Sequence, residues 1–316
     1  MAALLELQPN GLYCAAGDFY IDPWGPVGRA LVTHAHADRA RPGSRAYLTA
    51  RPGEPLVRAR IGPQAAIQAV EYGERLVLGD ALVSFHPAGH ILGSAQIRIE
   101  HRGEIWVFSG DYKLTPDPTC APFEPVRCHT FVTEATFALP IFRWPSETET
   151  LAAIHSWWRA SQQSGKTSLL YAHPLGEAQR VLASLDASIG PIRRHESIAQ
   201  AGQPLVAAAG FQPGVSLVLA PPSLHNSPWA RQFSPASTGL VSGWMRIRGT
   251  RRRRALDRGF VLSSHADWPA LLRAIDETGA ETVWVTHGFG APLVRWLQEH
   301  GRQALSIEAR FEGDDA

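Results

Sequence analysis

The sequence predicts an α/β protein made of two folded units, or of one domain that carries a large insertion. Three observations support this class. The chain of 316 residues is long for one domain and comfortable for two. Short apolar segments joined by tight turns dominate the first 140 residues. From about residue 144, helical and strand patterns alternate, which favours a smaller α/β unit with a parallel sheet.

Apolar runs that stop at glycine or polar turns mark the strands of the first part. Ala30–Thr33 is a short apolar run directly before a histidine-rich segment. Arg75–Phe85 divides at Gly79-Asp80 into the two strands of a hairpin. The same reasoning predicts a second hairpin and one more strand, from the runs Ala95–Glu100, Ile105–Ser109 and Thr130–Thr133.

A capping box marks the start of the second part. Ser146 and Glu149 have the spacing at which each side chain satisfies a backbone N–H of the other, so a helix is expected to begin here. A strand, a helix and another strand follow, predicted at Ser168–Tyr171, from about Gly176 and at Val215–Ala220. Two further strand–helix pairs complete the order, at Phe260–Ser263, Asp267 to Gly279, Val283–Thr286 and from about Ala291.

Composition excludes several classes of protein. With 45% hydrophobic and 19% charged residues, the chain is an ordinary folded protein and not a disordered or fibrous one. No apolar stretch approaches the ~20 residues that a membrane helix needs, and the N-terminal segment does not resemble a secretion signal. The three cysteines contain no CxxC motif, and an odd number of them cannot all form disulfides. We therefore expect no disulfide scaffold and a protein that resides in a reducing cytoplasm.

Arginines are concentrated in one segment. Seven of them lie within the thirteen residues 246–258, against one acid, Asp257. Guanidinium groups at that density suit phosphate oxygens, although a solvated charged loop explains the run equally well.

The strongest chemical signal is His34-Ala-His36-Ala-Asp38, directly after a predicted strand. Two imidazoles at this spacing can bend toward one ion, and the nearby carboxylate adds an oxygen ligand. Further histidines and acids stand where other apolar strands give way to polar turns, at His90, Asp111, His265 and His287. Because strand ends gather ligands from distant parts of a chain, the set predicts a metal site.

These motifs resemble those of a known family. HAHAD, AGHILGSAQ, SGD and the late THG resemble, in order, the motifs of the metallo-β-lactamase fold, and TEATF, SSHAD and His287 resemble those of its β-CASP nuclease branch. Further sequence segments, including GDFYIDP and DPTCAPFEPV, resemble those of bacterial ligase-associated DNA exonucleases. The resemblance implies an αββα sandwich formed by residues 1–143 and 256–316, with an inserted α/β β-CASP cap at 144–255.

The resemblance also implies two adjacent metal positions. The first would use three imidazoles and a carboxylate that bridges to the second: His34, His36, His90 and Asp111. The second would share Asp111 and add Asp38 and His287, while Asp18 in GDFYIDP would support the ligands without binding metal. Zinc is the implied metal, with manganese as an alternative.

One position departs from the family pattern HxHxDH, because its last histidine is Arg39 here. Arginine has no lone pair to give to a metal, so we expect one tightly held ion and a second that is weak or absent. Three accounts of Arg39 stay open at this stage: it replaces the second cation as a phosphate clamp, it marks a weakened or inactive enzyme, or it points away to pair with another acid.

The implied reaction is phosphodiester hydrolysis by a zinc-activated hydroxide. Asp38 and Asp111 would act through the metal, and His265, oriented by Glu134, would be the general acid. Substrate phosphates would contact basic and hydroxyl side chains, for which the candidates are Arg39, Lys113, Ser94, Arg246 and Arg248.

The function expected from this reasoning is a DNA exonuclease in repair. Its substrate would be nucleic acid, with single-stranded DNA favoured, and its partners an ATP-dependent DNA ligase and a helicase. Three alternatives remain: an RNase of the same fold, a non-catalytic nucleic-acid-binding subunit disabled at Arg39, and a small-molecule hydrolase. His287 favours the RNase alternative, because this position resembles that of RNA-acting β-CASP enzymes.

Overall fold

The computed structural model of the protein describes residues 3–199 and 210–307. For Ala199, Arg248 and Arg251 it describes the backbone only. The chain divides into two compact units. One contains the described residues up to Pro140 together with those from His265 onward, and the other runs from Ile141 to Ser264. Within the described ranges no helix is both long and apolar enough to span a bilayer.

Two mixed sheets form the first unit. The first sheet has six strands in sequential order, antiparallel up to β3 and parallel beyond it: β1 (Glu6–Gln8), β2 (Gly11–Cys14), β3 (Phe19–Ile21), β4 (Arg29–Val32), β5 (Ala46–Ala50) and β6 (Ile67–Val70). The second sheet begins with two antiparallel hairpins, formed by β7 (Leu76–Leu78), β8 (Ala81–Pro87), β9 (Ala95–His101) and β10 (Glu104–Phe108). It continues in parallel through β11 (Thr130–Ala135), β17 (Thr282–Gly288) and β18 (Gln303–Ser306). Both predicted hairpins are therefore confirmed.

Apolar side chains from both sheets share one core. Leu31 and Leu48 of the first sheet pack in the same cluster as Phe85 and Ile97 of the second. On its other face the second sheet packs against α7 (Trp268–Thr278) and α8 (Gly290–Glu299), whereas α1 (Glu54–Ile61) lies beside β5 and β6. Two sheets with helices on the outer faces form the αββα sandwich that the family resemblance implies.

The second unit is a parallel α/β layer. Its five strands have the spatial order β13-β14-β12-β15-β16, with bounds β12 (Thr167–Tyr171), β13 (Ile192–Arg194), β14 (Leu217–Ala220), β15 (Ala236–Val241) and β16 (Arg258–Phe260). Its helices are α2 (Glu147–Gln163), α3 (Glu177–Ser184), α4 (Glu196–Ala199), α5 (Pro228–Arg231) and α6 (Arg248–Arg253). The capping box of Ser146 and Glu149 starts α2 as predicted.

The second unit extends beyond the range 144–255 expected from the sequence. It begins at Ile141 and ends at Ser264. Because β16 pairs in parallel with β15 at the edge of the sheet, residues 256–264 continue this unit and do not return to the first one. The strand expected at Phe260–Ser263 also lies earlier, at Arg258–Phe260.

The loop that follows β8 depends on a glycine. Gly93 has φ +74°, and a Cβ built on it would lie 2.0 Å from both Cα and N of Gly53. The same loop carries His90, whose backbone N–H donates to Ser94 Oγ at 3.0 Å. Close backbone packing therefore fixes where His90 stands.

We expect Gly93→Ala to destabilise the first unit by about 2–4 kcal/mol, because it combines left-handed strain with a backbone collision. Gly103→Ala is the matched control: Gly103 also has positive φ (+83°), but no described atom lies within 4 Å of its built Cβ. Urea unfolding followed by circular dichroism measures both variants. Equal shifts would show that the contact with Gly53 does not matter.

Candidate metal centre

Strand ends of the first unit bring the candidate side chains together. β10, β11 and β17 are parallel neighbours, so Asp111, Glu134 and His287 emerge at one edge of the second sheet. β4 of the facing sheet ends immediately before Thr33 and His34. The two edges are joined by a backbone hydrogen bond from Ala95 N to Thr33 O (2.8 Å).

Three imidazoles surround one point. The ring centroids of His34, His36 and His90 lie 4.8–4.9 Å apart, each ring nearly perpendicular to the others. His36 Nδ1 is 3.3 Å from His90 Nε2, and His34 Nε2 is 3.4 Å from Asp111 Oδ2. A tetrahedral ion at a metal–nitrogen distance of ~2.0–2.1 Å separates its ligand atoms by about 3.3 Å. His90 Nε2 is 4.0 Å from Asp111 Oδ2, and the four ligand atoms all lie within 4.8 Å of one another, so their spacing is close to that of a tetrahedral site and slightly wider.

The electrostatics of this cluster suit a cation. Burial lowers the pKa of His34 to about 3 and that of His90 well below its ordinary value, so both imidazoles are neutral and keep a lone pair. Burial alone would raise the pKa of Asp111, but the Arg39 guanidinium holds it well below its usual range. His34 Nε2 is buried without a hydrogen-bond partner in the described part of the chain. An orphaned lone pair among buried donors fits a bound metal ion.

Asp22, not Asp18, supports the His34 imidazole, and it does so through Thr33. Asp18 is exposed and accepts a hydrogen bond from the Tyr13 hydroxyl at 2.9 Å, which corrects the sequence-based assignment. Asp22 is fully buried and accepts from Thr33 N (2.8 Å) and Thr33 Oγ1 (2.6 Å). Burial raises the pKa of Asp22 to about 6, against the opposing effects of Arg39 and Thr33.

The Asp22 contact sets the tautomer of His34. Thr33 Oγ1 has one hydrogen, which it donates to Asp22, so it can only accept from His34 Nδ1 at 3.0 Å. His34 Nε2 is then left unprotonated toward Asp111. The motif GDFYIDP contained this signal in its second aspartate, which sequence reasoning passed over.

Arg39 points into the site, so the account in which it pairs with an acid elsewhere is wrong. Its Nε lies 3.2 Å from Asp38 Oδ2, and its Nη2 donates to Asp111 Oδ1 at 2.6 Å. The same Nη2 is 3.0 Å from His287 Nε2. With 1% of its surface exposed, the guanidinium is a buried cation among acids, and Asp111 and Asp38 raise its pKa against the opposing effect of burial.

A histidine–carboxylate pair lies beside the imidazoles. His265 Nδ1 donates to Glu134, at 2.9 Å from Oε2 and 3.1 Å from Oε1. Glu134 is itself held by Tyr112 N (2.8 Å) and by the Thr136 hydroxyl, two contacts that sequence reasoning missed. The His265 ring lies 4.6 Å from the His90 ring, centroid to centroid. The pair is therefore adjacent to the predicted ligand set.

The structure corrects two of the five predicted phosphate contacts. Ser94 is buried, and its Oγ accepts from His90 N (3.0 Å) and Ile91 N (3.2 Å), so it shapes the loop. Lys113 is 2% exposed and donates to Asp117 at 2.9 Å, so its charge is used internally. Arg246 is exposed and its Nε donates to the Ile141 carbonyl, whereas the side chain of Arg248 lies outside the described residues.

Comparisons with known proteins agree with the fold and the motifs. No family model matches the chain. It is 28% identical to "Probable DNA ligase" of Opitutus terrae over 94% of its length, which is 30% of that protein. "Endoribonuclease YSH1" of Saccharomyces cerevisiae is 32% identical over 38% of this chain and 15% of its own, and "RNase aCSPSF2" of Saccharolobus solfataricus is 29% identical over 37% and 24%.

The chain thus spans less than a third of the length of each of these relatives. Its fold also matches a crystal structure of a protein of unknown function from Enterococcus faecalis, with a TM-score of 0.57, 11% identity and coverage of 90% of this chain and 80% of that one. The fold is a metallo-β-lactamase fold with an inserted α/β unit, and the ordered motifs and the relatives are similar to those of β-CASP nucleases.

We expect Asp22→Asn to weaken zinc binding about 10- to 100-fold. An amide nitrogen cannot accept from Thr33 Oγ1, so the hydroxyl turns to donate to His34 Nδ1 and moves the imidazole proton to Nε2. Competition with a zinc-chelating dye at pH 7 measures the affinity. Asp18→Asn is the matched control from the same motif and should bind zinc like the wild type; equal affinity of both variants would contradict the assignment of Asp22.

Proposed function

We propose that the protein is a metal-dependent nuclease that removes nucleotides from DNA ends during repair, alongside a DNA ligase. One observation carries the proposal: the Glu134–His265 pair abuts the cluster of His34, His36 and His90. These residues would hold a metal ion, which would supply a Lewis acid for phosphodiester hydrolysis, and the oriented histidine beside them would supply a proton donor.

The metal site would consist of His34, His36, His90 and Asp111. A zinc ion held there would supply positive charge at the scissile phosphate and lower the pKa of a bound water toward ~7. Manganese is the second candidate ion. The spacing of the donor atoms and the orphaned His34 Nε2 support this assignment.

His265 would supply the leaving-group proton. Its Nδ1 donates to Glu134, so Nε2 is the nitrogen that would give its proton to the departing 3′ oxygen. The Glu134 carboxylate stabilises the imidazolium before transfer and keeps the ring in one orientation, as a buried acid does for a catalytic histidine. Tyr112 N and the Thr136 hydroxyl fix the carboxylate in turn.

DNA is favoured as the substrate because the relative whose similarity covers 94% of this chain is named a probable DNA ligase. The relatives named as RNA-cleaving enzymes cover 37–38% of the chain, and they make RNA hydrolysis the second candidate. Single-stranded DNA is the preferred form in this proposal, and a helicase partner rests on the family resemblance alone. Arg246 and its exposed neighbours Arg252 and Arg253 would contact the nucleic-acid backbone.

End-labelled single-stranded DNA with a 5′ phosphate tests the proposal in the presence of Zn²⁺ or Mn²⁺. We expect stepwise shortening by the wild type and none by Asp111→Ala, which lacks the carboxylate of the ligand set. RNA of the same sequence runs in parallel. Cleavage of RNA alone would establish the second candidate, and no cleavage of either by folded, metal-loaded protein would leave a binding subunit.

His265→Ala should lower turnover about 10²- to 10⁴-fold, because the leaving oxygen loses its proton donor. Metal content, measured by elemental analysis, should stay at the wild-type value. His300→Ala removes an exposed imidazole from the end of α8 and should leave both quantities unchanged. A loss of metal in His265→Ala would refute its role as an acid.

A further inference from the structure

The Arg39 guanidinium lies among the atoms that would bind a second cation. Asp111, Glu134 and His287 place one ligand atom each within 4.8 Å of one another, next to the imidazole cluster. Arg39 Nη2 is 2.6 Å from Asp111 Oδ1 and 3.0 Å from His287 Nε2. These short contacts leave no space for an ion between the guanidinium and its partners.

The lone pair of His287 is used by Arg39. Thr286 Oγ1 lies 3.2 Å from the Thr133 carbonyl, to which it donates its one hydrogen, so it accepts from His287 Nδ1 at 2.8 Å. His287 Nε2 is then unprotonated and accepts from Arg39 Nη2. The two hydrogens of Nη2 therefore serve Asp111 and His287, the same atoms that would otherwise bind metal.

Charge balance points the same way. Asp38 Oδ2 is 3.2 Å from Arg39 Nε, and Asp22 Oδ2 is 3.9 Å from Nη1, so these two buried carboxylates share the one guanidinium with Asp111. If Arg39 moved away, these buried carboxylates would lose their compensating charge at a large cost in free energy. The ion pairs therefore hold the guanidinium in place. A divalent ion beside a buried guanidinium would meet strong repulsion in this low-dielectric setting.

We infer that the protein binds one metal ion per chain, at His34, His36, His90 and Asp111, and that Arg39 is a built-in cation in the place of a second ion. Arg39 compensates Asp38 and Asp111 and fixes His287, which leaves the imidazole cluster as the centre that takes up metal. The inference rests on the metal site of the proposed function but not on nuclease activity.

Metal stoichiometry tests the inference directly. Protein saturated with Zn²⁺ and then desalted is analysed by native mass spectrometry, with elemental analysis as a second readout. We expect one ion in the wild type and two in Arg39→His, because the introduced imidazole joins Asp38, Asp111 and His287 as donors and removes the fixed charge. Arg39→Lys keeps the charge and should stay at one ion.

Arg295→His is the matched control, because it adds an imidazole at an exposed position on α8 and should gain no ion. Circular dichroism confirms that each variant is folded. Two ions in the wild type, or one ion in a folded Arg39→His, would overturn the role of Arg39. No ion in the wild type would instead refute the metal site of the proposed function, so the two failures are distinguishable.

Discussion

The contact of the Arg39 guanidinium with Asp38, Asp111 and His287 is the interaction on which the rest of the site depends. Buried carboxylates at the ends of β4 and β10 would repel each other if they stood alone. One buried cation offsets that repulsion and fixes the edge at which the two sheets meet. The imidazole cluster can then keep its donors directed at one point, with Asp111 ionised.

Three imidazoles at the site are oriented by a hydrogen bond at Nδ1. Thr33, held by Asp22, directs His34, and Thr286, held by the Thr133 carbonyl, directs His287. Glu134 does the same for His265. A hydroxyl group has one hydrogen. When the threonine donates it to a carboxylate or a carbonyl, the hydroxyl oxygen can only accept a hydrogen bond from the histidine. Small polar residues next to the motifs thereby decide which lone pairs face the site.

The second unit has a different role in the proposal. Its parallel sheet and helices form a separate core, and its arginine-rich segment carries exposed cations such as Arg252 and Arg253. The ligand set and the Glu134–His265 pair belong entirely to the first unit. In the proposal the chemistry therefore belongs to the first unit and the charge that would attract nucleic acid belongs to the second, so the two can be changed separately by mutation.

Local patterns in the sequence determined the helix starts, both hairpins and the order of strand-end motifs, because caps, turns and alternation involve residues close in the chain. They also identified the histidines and acids that the fold brings together. Only the tertiary structure decided which aspartate of GDFYIDP is buried against Thr33, where Arg39 points, and that Lys113 and Ser94 serve the protein interior. Tertiary pairing also placed strand β16 in the second unit, because it adds in parallel to β15, the strand that precedes it in the chain. Burial and pairing between distant segments have no local signature, so a residue's type indicates its chemistry but not whether the folded chain has already used it.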